Sequence, residues 1–162
     1  MATATIPGIS TLVVTFSVGY ETTSGTKPTS FEILPRCNDI AEITLETETI
    51  DASALEDMTS RYIAGRADTG GTWDVTFNLT NETIPTLQEM LETSNEKLAT
   101  NLRTWFQISS PYLTDSFFVV GQPGTKIPLP AIAQNELLTG AISIAIDEYI
   151  GTDTKVEPTV GE

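Results

Sequence analysis

The strict two-residue alternation of residues 72–80 constrains this chain most. In Thr72-Trp73-Asp74-Val75-Thr76-Phe77-Asn78-Leu79-Thr80, the side chains of Trp73, Val75, Phe77 and Leu79 fall on one side of an extended backbone. Asp74, Thr76, Asn78 and Thr80 fall on the other. A helical period would scatter both sets, so the stretch reads as a strand with one dry and one wet face, the pattern of an antiparallel sheet. Residues 41–48 alternate likewise, with Glu42, Thr44, Glu46 and Glu48 opposite Ile43 and Leu45. Between the two stretches lies a long polar connection, 51–68, closed by Thr69-Gly70-Gly71.

The same period recurs along the chain. Strands are expected at 11–18, 31–33, 102–109, 115–120 and 140–149, the last placing Ile142, Ile144 and Ile146 opposite Ser143, Ala145 and Asp147. Pro128 and Pro130 make 125–133 an edge or a loop, because proline cannot donate to a central ladder. One helix is expected at about 84–99, with Thr83 as N-cap and Pro85 in the first turn. Its apolar stripe reads Ile84, Leu87, Leu91 and Leu98, with Ser94 in the remaining place and Met90 flanking. The predicted fold class is mainly β: an antiparallel β-sandwich or partly open barrel of about seven or eight strands with one flanking helix. One domain spans 1–150, with an N-terminal arm (1–10), broken at Ile6-Pro7-Gly8, and a long loop (51–70). A polar, flexible tail is expected at 151–162.

Charge narrows the function. Twenty-two acids against eight bases leave a net charge of −14, and the bases (Lys27, Arg36, Arg61, Arg66, Lys97, Arg103, Lys126, Lys155) are scattered. Specific nucleic-acid binding needs clustered cations to neutralise phosphates, so it is not expected. The absence of histidine removes the usual neutral-pH base and the commonest metal ligand. Cys37, the single cysteine, permits no internal disulfide and no thiolate metal cluster. No cofactor, metal site or catalysis is expected. Met1–Thr5 lacks the charged and apolar regions of a secretory leader, and no apolar run approaches the ~20 residues that span a bilayer.

Rival readings use other residues. A monomeric binding or adhesin module would use exposed aromatics among Tyr20, Trp73, Trp105 and Tyr112, although both tryptophans sit in alternating strands suited to a core. A glycoside hydrolase would need two carboxylates ~5–9.5 Å apart, and Glu46 with Glu48, or Glu42 with Glu46, offer that spacing along a strand. Asp51, Glu56 and Asp57 lack the alternating spacing and turn glycine of a calcium loop.

The strand closing on Thr47-Glu48-Thr49-Ile50-Asp51, the run Arg61-Tyr62-Ile63-Ala64-Gly65-Arg66-Ala67-Asp68, the strand Gly70-Gly71-Thr72-Trp73-Asp74-Val75-Thr76-Phe77-Asn78, then one helix and a run of strands together resemble the major tail tube proteins of long-tailed bacteriophages. The resemblance extends in element order over nearly the whole chain and implies a fold shared with the tubes of contractile injection systems. It implies no enzymatic activity and no cofactor. It implies hexameric rings stacked into a hollow virion tube assembled in the host cytoplasm, with a tape measure protein and tail terminator or baseplate proteins as partners and DNA only in transit. On that reading Glu42, Glu46, Glu48 and Asp74 face an acidic lumen. The 51–68 connection mixes apolar and charged side chains (Leu55, Glu56, Asp57, Met58, Arg61, Tyr62, Ile63, Arg66 and Asp68) in a manner suited to contacts between subunits or rings.

Overall fold

A computed structural model describes residue 8 and residues 13–160. The elements run β1 (Thr15–Tyr20), β2 (Glu32–Ile33), β3 (Cys37–Ile40), β4 (Glu46–Asp51), β5 (Tyr62–Asp68), β6 (Thr72–Asn78), α1 (Thr83–Ala99), β7 (Thr104–Ser109), β8 (Asp115–Pro123), β9 (Thr139–Thr154) and β10 (Thr159–Val160). Eight strands form one sheet, in the order β10-β2-β1-β7-β8-β9-β6-β3, that curls into a half-barrel. Its pairs are antiparallel, apart from the parallel β10–β2 contact. Among the described residues β4 and β5 pair only with each other.

The alternation of 72–80 does what its period demands. Trp73, Val75 and Phe77 are buried, Asp74 is exposed, and the strand pairs with β9 from Thr72↔Ala145 to Asn78↔Thr139. Ile142 and Ile144 bring the matching dry face of β9. With Phe16, Val18, Phe106 and Val119 they form the main core, and Phe16 meets the rings of Trp73, Phe77 and Phe106 at centroid distances of 5.5–5.8 Å.

Helix α1 closes one end of the concave surface through Leu87, Met90, Leu91 and Ser94. The expected stripe is rotated: Met90 is core, whereas Ile84 and Leu98 are exposed. Thr83 is not the cap but a buried first-turn residue whose Oγ1 donates to the Asn78 carbonyl at 2.8 Å. Thr80 Oγ1 instead accepts from the amides of Glu82 and Thr83, satisfying donors that a helix start leaves orphaned.

The central strands β7 and β8 are buried on both faces. Opposite the main core, Trp105, Phe118 and Val120 pack with Phe31. Residues from 151 onward are not a loose tail as far as they are described: β9 runs on to Thr154, and Thr159–Val160 adds to β2. The buried amide of Gln107 holds this segment at both hydrogen-bonding positions of Val156, donating to its carbonyl at 2.8 Å and accepting from its N–H at 3.0 Å.

Other boundaries also move. The strand expected at 41–48 is divided, with 41–45 outside any ladder and the pairing resuming at Glu46. Much of the expected 51–70 loop is strand β5, so that only the tip, residues 52–61, is a connection. The 125–133 stretch is a loop. The expected arm, 1–10, lies outside the described residues apart from Gly8, and so do residues 11 and 12 of the first expected strand. No helix among the described residues is long and apolar enough to cross a membrane.

Candidate self-assembly surface

All nine residues singled out in the 51–68 connection lie on the β4–β5 hairpin, which leaves the sheet between β3 and β6. Its ladder runs from Glu46↔Asp68 to Asp51↔Tyr62, with a register shift between Thr47 and Thr49. At ~3.4 Å per residue the six residues of β4 extend for roughly 20 Å. The tip is held by its own polar groups. Asp51 Oδ1 accepts from the Ser53 amide at 2.9 Å, Asp57 Oδ2 from the Ala54 amide at 2.8 Å, and Ser53 Oγ from the Arg61 amide at 2.7 Å. Hydrogen bonds from the Ser53 side chain and then its backbone hold the Asp51 carboxyl below its ordinary range. Arg61 Nε lies 3.6 Å from Asp57 Oδ1.

This ordered tip presents apolar side chains to solvent. Leu55 and Met58 have relative exposures of 108% and 101%, and Ile50, Tyr62 and Ile63 are more than half exposed. Glu56, Arg61, Arg66 and Asp68 are exposed around them, and Asp57 is half-buried. An isolated two-stranded hairpin is marginal in water, and contiguous exposed apolar side chains mark contact surfaces.

The acidic residues separate into two places. Asp74 lies on the wet face of the sheet, opposite Ser143 and one strand from Asp39. Glu46 and Glu48 stand on β4, and Glu42 in the irregular 41–45 link; all four are exposed. Glu42 therefore lies outside the strand that carries Glu46 and Glu48. Of the candidate recognition aromatics, Trp73 and Trp105 are core, Tyr20 is partly buried with its hydroxyl pushed up to about 12 by burial and Glu32, and Tyr112 is exposed. Among the described residues no group of three or more acidic or cysteine side chains is arranged to hold a metal ion.

Two features escaped the sequence reading. The 125–138 loop exposes Leu129, Ile132, Leu137 and Leu138, whereas the sequence reading of 125–133 as an edge or a loop assigned it no surface role. Arg103 gathers Glu21, Asp147 and Glu148 from distant parts of the chain, and no local pattern announces that.

No family model matches this chain, and no curated protein does. Among solved structures, a chain of the anti-feeding prophage baseplate, determined by cryo-electron microscopy with six-fold symmetrisation, is similar at a TM-score of 0.46 and 12% identity, over 91% of this chain and 95% of that one.

Proposed function

We propose that this chain is a structural, non-catalytic subunit that polymerises with copies of itself, as stacked hexameric rings of a phage-type tail tube. The observation that carries the proposal is the β4–β5 hairpin: an arm paired, among the described residues, only with itself, that ends in the fully exposed Leu55 and Met58. Covering that tip against a second copy removes apolar surface from water and stabilises a hairpin that is marginal alone. A ring of head-to-tail contacts closes on itself and leaves no open end.

In such a ring the wet face of β9, β6 and β3, with Asp39, Asp74, Asn78, Ser143 and Asp147, is suited to line the channel, together with Glu42, Glu46 and Glu48. Carboxylates there repel phosphate, so that DNA slides through without binding. At physiological salt the repulsion acts within about 8 Å of the wall. The wider partners of this reading are a tape measure protein and tail terminator or baseplate proteins, and its location is the virion after assembly in the host cytoplasm.

Sedimentation velocity at rising concentration tests the role of the arm. The natural chain is expected to associate. A Leu55→Ser/Met58→Ser variant is expected to need at least tenfold higher concentration, at unchanged fold stability, because both side chains are outside the core. Equal association of the two proteins would overturn the reading.

A further inference from the structure

β3 is an end strand, paired with β6 and, among the described residues, with nothing on its other side. Beside that free edge the half-barrel remains open at the end away from α1. A groove of about 500 Å³ runs there between Cys37–Ile40 and the far end of the β7–β8 pair, lined by Val14, Ile108, Leu113 and Phe117. A second hollow of about 260 Å³ continues it past Ile40 and Ile43 to Trp73. An unpaired backbone edge over an apolar floor has the features of a site that accepts an extended segment as an added strand, with main-chain hydrogen bonds along the edge and side chains set into the floor.

The candidate occupant is in the chain itself. Residues 1–14 carry no Asp, Glu, Lys or Arg, in a protein that otherwise holds 22 acids, and they offer Ile6, Ile9 and Leu12 as apolar anchors. An uncharged segment is what an acidic neighbour admits without repulsion. Where the segment meets the body, Val13 has φ +65°, a region that β-branched residues rarely occupy. Val13 and Val14 are both exposed, Val14 lines the groove, and Gly8 is exposed with nothing within 4 Å of where its Cβ would be. Relaxing Val13 to an extended conformation would continue β1 outward and direct the preceding residues away from their own subunit. Twelve extended residues reach up to ~40 Å, enough to enter a neighbouring molecule.

We infer that the groove beside β3 receives the N-terminal segment, residues 1–12, of a second copy of this chain as an added strand. The inference rests on the self-assembly proposed above and names a second, separate contact within it. Each copy both donates a segment and offers a groove, so the linkage is head-to-tail and propagates from copy to copy.

Cys37 lines the groove and is the only cysteine, so it reports occupancy directly. Burial, with Asp39 beside it, pushes its thiol up to about 12, and copper phenanthroline is therefore used as oxidant. Full-length Ile6→Cys and Ile9→Cys variants are oxidised at concentrations where the natural chain associates, then run on non-reducing gels. The expected result is a ladder of disulfide-linked species beyond the dimer in at least one variant, collapsing to dimer and monomer when Cys37→Ser is added. A monomer with an internal disulfide, or no ladder in either variant, overturns the inference. Sedimentation of the same samples separates the two claims: oligomers without a ladder overturn only the groove contact, whereas absence of oligomers overturns the assembly reading as well.

Discussion

Arg103 Nε donates to Glu21 Oε1 at 2.9 Å, and the glutamate side chain is wholly buried while the arginine side chain keeps 30% of its exposure. The Arg103 backbone N–H donates to the same oxygen, and its Nη1 reaches Asp147 and Glu148 at 3.1 Å each. Burial works against the guanidinium charge, but these three carboxylates outweigh it and hold the group more firmly protonated than usual. One cation thus ties the start of the β1–β2 loop to β7 and β9. The other oxygen of Glu21, Oε2, is buried without a partner, so Arg103 supplies most of what compensates that charge.

Arg103→Ala is therefore expected to destabilise the fold by about 2–3 kcal/mol, somewhat under the ~3–5 kcal/mol for breaking a fully buried pair, because the arginine is partly solvated. Adding Glu21→Gln to that variant removes the stranded charge and is expected to recover about half of the loss. Urea midpoints at constant m-value measure both. A loss below ~0.5 kcal/mol for Arg103→Ala would contradict the assignment.

Gln107→Ala removes both bonds to Val156 and leaves a backbone N–H and carbonyl to find water in a half-buried place. Each unsatisfied group costs ~1–3 kcal/mol, so a total of about 2–4 kcal/mol is expected. Limited proteolysis adds the local readout: cleavage between 155 and 160 accelerates in the variant before the sheet itself is cut. Equal cleavage rates would show that β10 is held by something else.

The hairpin tip should titrate apart from the body. Asp51 has a folded pKa below its unfolded value near ~3.9, so its contribution to tip order is fully present above pH ~4 and is lost as pH falls through the lower folded value. Asp153, lowered by the Thr154 amide and then by Lys27, follows the same sign at the far end of β9. Amide chemical shifts of Ser53 and Thr154 are expected to move with midpoints below the ordinary carboxylate range while core resonances stay fixed. Midpoints at or above ~3.9 would contradict the hydrogen bonding described for both.

Where a segment buries one face against a sheet, its sequence shows it. Residues 72–80 and 142–146 alternate because every second side chain joins or packs against the core cluster that holds Phe16, Phe106 and Val119, and the helix was legible from its length and its entry at Pro85. Residues 62–68 were not legible as strand, because both faces of β5 are in water and nothing forces Tyr62, Ile63 and Arg66 into a two-residue period. Residues 41–45 failed in the opposite sense: Ile43 packs on the core but Leu45 is 54% exposed, and the alternation belongs to a link rather than a ladder. The C-terminal segment looked loose because it is polar, and the Gln107 amide that fixes it lies 49 positions away. Of the candidate surface, the 51–68 connection was visible as a mixture of apolar and charged residues, whereas the groove beside β3 arises only when β3, β7 and β8 are brought together.

In the proposed function, copies of this chain join around a channel through an exposed arm. Negative-stain electron microscopy of the purified protein at rising concentration tests it most directly. Hollow rods of uniform width, built of stacked rings, are expected, and they fail to form when Leu55 and Met58 are both serine. Particles that stay monomeric at every concentration, or rods that the double variant forms equally well, would contradict it.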